Sequence, residues 1–302
     1  MHIQHNLLYR CLLVGLCIVG GFSGCSPSQP QTVTAQAFWP IHPQEALSFH
    51  DSELPSDTEP DSVLSDDNSS VSVDTAEVLT DTEEAAAKPA IVSAEEAAAS
   101  ILSKQFRHIR YTLPVPCLSQ YPELPTGCEV TSLTMLLNYL GCDVDKTTIA
   151  DRYLVYGDSF VLSYHGDPYE DNGAGIYPPG IVQTVANYAI QTDQTLAAVD
   201  LTGMSFRSLY QFLENGYPVM LWTTLRAEYP SFDEEIFEEY NGIRYPWYIN
   251  EHCVLLVGYD VKSGTVSVND PIYGEMTYDA AYYEEIYQTI GQFALTVLPD
   301  TF

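Results

Sequence analysis

The sequence predicts an α+β fold, with helices first and an antiparallel sheet afterwards. Three observations carry that prediction. Val130, Leu133, Leu136, Leu137 and Leu140 recur at a 3.6-residue spacing behind Cys128. The remaining helical signals also fall before residue 215, and from Tyr217 onward short apolar and aromatic runs alternate with turn residues. Helices and strands segregated along a chain build helices packed on one sheet.

Taken in order, a short strand is expected over residues 110–115. A helix should follow over 128–140, stopped by Gly141, which supplies a left-handed C-terminal cap. A second helix follows Pro178-Pro179 through IVQTVANYA, since proline suits a first helical turn, and a third covers 205–214 before Asn215-Gly216. Strands are then expected in YPVMLWTT (217–224), EHCVLLVGYD, GTVSVND, EMTYD and QFALTVL. AEEAAASILSKQF, from Ala94, could form a helix at the entry to this region or be the frayed end of what precedes it.

What precedes it differs in kind. Residues 1–24 have a weakly basic start with Arg10, an apolar stretch over 11–22 and small residues before Cys25. That stretch is short for a bilayer span and fits an export signal. Phe22-Ser23-Gly24-Cys25 resembles the lipobox of bacterial lipoproteins, with Phe22 where the pattern prefers Leu, and implies lipidation of Cys25. Residues 25–103 are rich in Ser, Thr, Ala and acid, too poor in apolar area to offset chain entropy, and are expected to be a disordered tether. The folded domain is expected over 104–302. A chain so organised is expected on the extracellular face of a bacterial membrane, held by its lipid.

The formal charge of -30 argues against a nucleic-acid partner, because phosphates would be repelled. No C-x-x-C pair or His/Cys cluster at zinc spacing is present, so neither metal nor other cofactor is expected. A disulfide between Cys117 and Cys142 is compatible with an oxidising compartment.

The chemistry centres on Cys128. A cysteine attacks as thiolate, and unpaired N–H groups at a helix start stabilise that anion. An imidazole partner would complete the device. His252 opens a strand and so offers a base on a rigid element, whereas His165 lies in a Gly-rich loop and His108 at the domain entrance. Asp270 is the leading candidate to orient the imidazole, with Asp260 and Asn269 as alternatives. Ideal hairpin pairing sets Asp270 several residues from His252, so a bend or twist must close the gap, and Asp260 lies at the far end of the same strand. Gln120, held by the loop's prolines Pro122 and Pro125, can donate to an oxyanion together with the Cys128 backbone N–H.

SQYPELPTGCEVTSLTMLLNYLG, with INEHCVLLVGYD and VNDPIYG, resembles the stand-alone, exported branch of the papain-like cysteine peptidases of family thirty-nine, whose relatives process bacteriocin leaders. The resemblance spans roughly residues 112–298. It implies a papain-like fold and puts the oxyanion glutamine on Gln120, the nucleophile on Cys128, the base on His252 and the orienting aspartate on Asp270. No transporter membrane domain follows, which argues against a leader-peptide substrate. The acidic, aromatic segment 226–250 reads either as a lid that brings Trp247 and Tyr245 to the substrate or as a solvated excursion. The expected activity is hydrolysis of a peptide or protein substrate. The alternatives are cell-wall amide hydrolysis or acyl transfer on the same machinery, and a non-catalytic surface-binding module.

Overall fold

The computed structural model describes residues 93–300. Cys25, the signal segment and the tether as far as residue 92 lie outside them. The first described element is α1 (Ala94–Leu102), opened by a capping box in which Ser93 and Glu96 exchange side-chain bonds with each other's backbone N–H. Its stripe of Ala94, Ala98 and Ile101 is buried against the folded domain. The tether read over 25–103 therefore ends earlier than expected, because three apolar residues at helical spacing can pay for ordering this segment.

A short strand β1 (Arg110–Thr112) leads into the loop before α2 (Cys128–Tyr139). Every residue of α2 from Cys128 to Leu137 is buried, polar ones included, as expected of a helix enclosed on all sides. Three further helices, α3 (Lys146–Arg152), α4 (Pro178–Thr192) and α5 (Phe206–Glu214), frame the strand β2 (Leu196–Asp200). The rest is β3 (Val219–Thr224), β4 (Phe232–Tyr240), β5 (Ile243–Tyr248), β6 (Glu251–Asp260), β7 (Thr265–Asp270), β8 (Gly274–Asp279), α6 (Ala280–Ile290) and β9 (Ala294–Pro299).

The sheet is antiparallel in the order β2-β9-β3-β6-β7-β8, with β1 paired to the end of β6 that β3 leaves free. β3 is buried along its whole length and β6 along all but its ends. One irregularity matters for the site. Between β6 and β7 the register runs Leu255↔Asn269 and Leu256↔Val268, then shifts by one residue to Gly258↔Ser267. Continued one step, the Leu255↔Asn269 register sets Asp270 against Val254, on the same face as His252. The Gly258↔Ser267 register carried through without a break would set it against Leu255, on the opposite face. This bulge at Val257 is the bend that ideal hairpin pairing required.

Segment 226–250 is mostly a separate two-stranded hairpin, β4–β5, closed by Asn241-Gly242, both at positive φ. Cys117 and Cys142 are free thiols, not a disulfide. Among the described residues no helix is long and apolar enough to cross a membrane.

Candidate active site

The segment Leu118–Gly127 is bound to the domain through its backbone. The Gln120 N–H donates to the Pro271 carbonyl at 2.9 Å, and the Gln120 carbonyl accepts from Leu124 N–H and from the Lys146 ammonium. Lys146 is itself paired with Glu123 at 2.8 Å. At the end of this loop Gly127 lets the chain turn into α2, since a Cβ there would lie 2.7 Å from Leu124 Cβ. Residues Asp167–Glu170 strap across Thr126: its N–H donates to the Pro168 carbonyl, and its hydroxyl donates to the carbonyls of Asp167 and Glu170. Cys128 thus enters the helix at a position fixed from both sides.

His252 and Asp270 form a buried pair, with His252 Nε2 2.9 Å from Asp270 Oδ1 and the two side chains 1% and 2% exposed. Asp270 Oδ1 also accepts the backbone N–H groups of Ile272 and Tyr273, at 2.8 and 3.0 Å. Burial raises the Asp270 pKa, but the His252 hydrogen bond and charge and the two N–H donors outweigh it and hold the carboxyl below its ordinary value. Asp270 is therefore both the Asp-Pro turn residue and the partner of the imidazole. The other two candidates are committed elsewhere, Asn269 to the Val115 carbonyl at 2.8 Å and Asp260 to Arg110 at 2.9 Å.

The thiol is held differently from expectation. Cys128 Sγ donates to Glu129 Oε2 at 3.2 Å, and no hydrogen bond joins it to the His252 ring. Burial, then the Glu129, Glu251 and Cys253 side chains, push the Cys128 thiol well above its usual value, so the helix start does not leave a ready thiolate. Glu251 and Cys253 flank His252 on β6, and the thiol accordingly lies at that end of the strand. Cys128 Sγ and carboxylate oxygens of Glu129 and Glu251 lie within 4.8 Å of one another, a set able in principle to share a cation. Glu129 is wholly buried, its other oxygen accepting Ile176 N–H at 2.8 Å, and Glu251 Oε1 is buried without a hydrogen bond. Burial holds both carboxyls above the ordinary value, and for Glu251 the Glu129 charge adds to it. Gly175 is required here, because a Cβ would lie 2.3 Å from Glu129 Oε1 and its φ is +85°.

Neither glutamate was singled out in the sequence. Glu129 reads as an ordinary first-turn acid and Glu251 as a strand-end residue; the signal was that each directly adjoins a proposed catalytic residue. Gln120 is buried as its role would require, but its Nε2 donates to the Pro125 carbonyl at 2.6 Å, and Oε1 has no partner. One amide N–H is thus taken and one remains. Tyr245 lies inside the core, stacked on Phe293 at 5.0 Å, and presents no surface to a substrate here. Trp247 is partly exposed and packs on Phe160 at 5.5 Å. β5 does not alternate in burial: Tyr245 and Tyr248, three residues apart, are buried, and Ile243 and Trp247 are at intermediate exposure.

A buried helix that begins in cysteine, packed on an antiparallel sheet whose central strand carries histidine at its second position, is the papain-like α+β architecture. Residues 112–295 match the model of the Peptidase_C39 like family, more than half of the chain, and the protein belongs to that family. It is 34% identical over 186 residues to the uncharacterized protein YvpB of Bacillus subtilis (strain 168), covering 58% of this chain and 70% of YvpB. The crystal structure of a putative C39-like peptidase from Bacillus anthracis superposes with a TM-score of 0.53 at 30% identity, over 64% of this chain and 99% of that one. Xylellain, a cysteine protease from Xylella fastidiosa, gives a TM-score of 0.36 at 13% identity, over 66% of this chain and 88% of that one.

Proposed function

We propose that the protein is a cysteine peptidase held on the extracellular face of a bacterial membrane by a lipid on Cys25, with Cys128, His252, Asp270 and Gln120 as its machinery. The observation that carries the reading is the buried His252–Asp270 pair. With Nε2–H given to Asp270, His252 keeps Nδ1 as the base. On this reading Cys128 Sγ leaves Glu129 for that nitrogen when substrate binds. His252 removes the thiol proton as sulfur attacks the peptide carbonyl, while the Cys128 backbone N–H and the free Gln120 amide N–H hold the oxyanion. The imidazolium then protonates the departing amine, and water cleaves the thioester with His252 again as base.

Cys128→Ala should abolish both hydrolysis of a peptide library and labelling by a thiol-directed inhibitor. Peptide cleavage that persists in this variant would overturn the assignment. Metabolic acyl labelling that is lost in Cys25→Ser tests the anchor separately.

The thiol bonded to Glu129 supports a second reading, a surface-binding module whose chemistry is idle. The two readings part on the Cys128 titration in the presence of a bound peptide aldehyde or substrate analogue. A peptidase forms the covalent adduct there, and an idle module does not.

A further inference from the structure

The opposite end of β6 carries a feature that hydrolysis does not use. Residues 106–109, in the connection from α1 to β1, line a cavity of about 230 Å³ together with Arg207, Tyr210 and Val261. The Val261 N–H donates to the Ile109 carbonyl at 2.8 Å, which joins the entering chain to the end of β6. Asp260 is eight residues beyond His252 on this strand, so the cavity lies about 26 Å from the imidazole at about 3.3 Å per residue.

The charge here is opposite to that of the chain, which totals -30. Eleven Lys and Arg less Arg10 and Lys88 leave nine among the described residues, and five of these, Lys104, Arg107, Arg110, Arg207 and Lys262, gather at this end. No Asp or Glu occurs between Glu96 and Glu123. Arg110 is committed to Asp260 and His108 to Glu214. Among the described residues Arg107 and Arg207 have no carboxylate partner within ion-pair distance. The Arg207 guanidinium lies 5.5 Å over the Phe106 ring, a cation–π contact that leaves its N–H donors free. At the rim Ile109 is 60% and Val261 50% exposed.

We propose that this pole seats the domain on an anionic phospholipid surface, with Arg107 and Arg207 taking a lipid phosphate at the cavity and Ile109 and Val261 entering the headgroup layer. Guanidinium forks suit phosphate oxygens, and basic residues beside exposed apolar ones suit a membrane interface. The acidic remainder is repelled by the same surface, so the contact imposes an orientation: the connection from α1 to β1 lies at the membrane and the His252 end of the sheet faces outward. The inference rests on the reading of the chain as membrane-tethered.

The test uses the full chain carrying Cys25→Ser, so that no acyl chain contributes, sedimented with phosphatidylcholine vesicles with and without about one third phosphatidylglycerol. The anionic vesicles should bind more protein than the neutral ones, and the excess should vanish in high salt. Arg107→Gln/Arg207→Gln should lose about fivefold in partitioning per arginine, with peptide hydrolysis unchanged. Equal partitioning to both vesicles, an undiminished double variant, or binding of inorganic phosphate without preference for anionic vesicles would overturn the proposal. Acyl labelling of the wild-type chain is read apart from this. Vesicle preference without label removes the anchor and keeps the pole, and label without preference does the reverse.

Discussion

Asp260 and Asp270 end the two successive strands of one hairpin and are built on the same local motif. Asp260 Oδ1 accepts the N–H groups two and three residues on, from Lys262 and Ser263, as Asp270 Oδ1 does from Ile272 and Tyr273. Each meets a basic side chain at 2.9 Å, and each carboxyl is held below its ordinary value. The difference is the surroundings. Arg110 is 73% exposed, whereas His252 and Asp270 are sealed from solvent. An Asx turn beside a basic side chain is thus a surface fastener at one end and a sealed His–Asp pair at the other, and burial makes the distinction.

The contrast can be tested from its strongest side. Asp270→Asn should lower kcat/KM by at least about 10²-fold through the misheld imidazole, and should cost about 3–5 kcal/mol by leaving a buried partner unpaired. Peptide kinetics and denaturant melts read the two losses. Because the Asp270 pKa is lowered, its contribution to stability is present above the unfolded-state value and is lost as pH falls through the folded one. The melt of the parent should therefore approach that of Asp270→Asn in acid.

Glu251→Gln comes next. Removing a carboxyl whose charge, once ionised, opposes the thiolate should raise the alkylation rate of Cys128 at alkaline pH by about tenfold, a change seen as a lower midpoint in the pH–rate profile. The same variant should be more stable than the parent at alkaline pH. Burial holds the Glu129 and Glu251 carboxyls above 4.5, so the folded state keeps protons that the unfolded chain releases, and stability falls as pH rises above that value. The advantage of Glu251→Gln should widen as pH rises above the ordinary carboxylate range. A gap that stayed constant with pH would show that the pair is not protonated in the fold. Asp260→Asn completes the series, with no change in kcat/KM and a melting temperature within experimental scatter.

Much of this was legible in the residues because it depends on period and punctuation. The alternation and turn residues around EHCVLLVGYD and TVSVND place two central strands, and the apolar spacing behind Cys128 places the helix that covers them. α6 was missed since Tyr and Ile fit strands as well as helices, although Asp279 and Gly291 cap it at both ends. The Asn241-Gly242 turn carried its hairpin signal openly inside a segment whose charge suggested a loop. The bulge at Val257 could not be read, because one extra residue in a ladder leaves no mark on either strand's composition. Glu129 and Glu251 were passed over for a related reason: carboxylates are usually solvated, and only the fold places two of them in one enclosed space.

The burial of the site also sets a clock. Gln120, Cys128, His252 and Asp270 are all at most 6% exposed. A substrate or probe must therefore wait for a local opening, and the strap of residues 167–170 on Thr126 is one set of bonds that can release. At low probe concentration the labelling of Cys128 follows the probe. At high concentration it should level off at the frequency with which the chain uncovers its own thiol, a rate that belongs to the protein and is the same for every reagent.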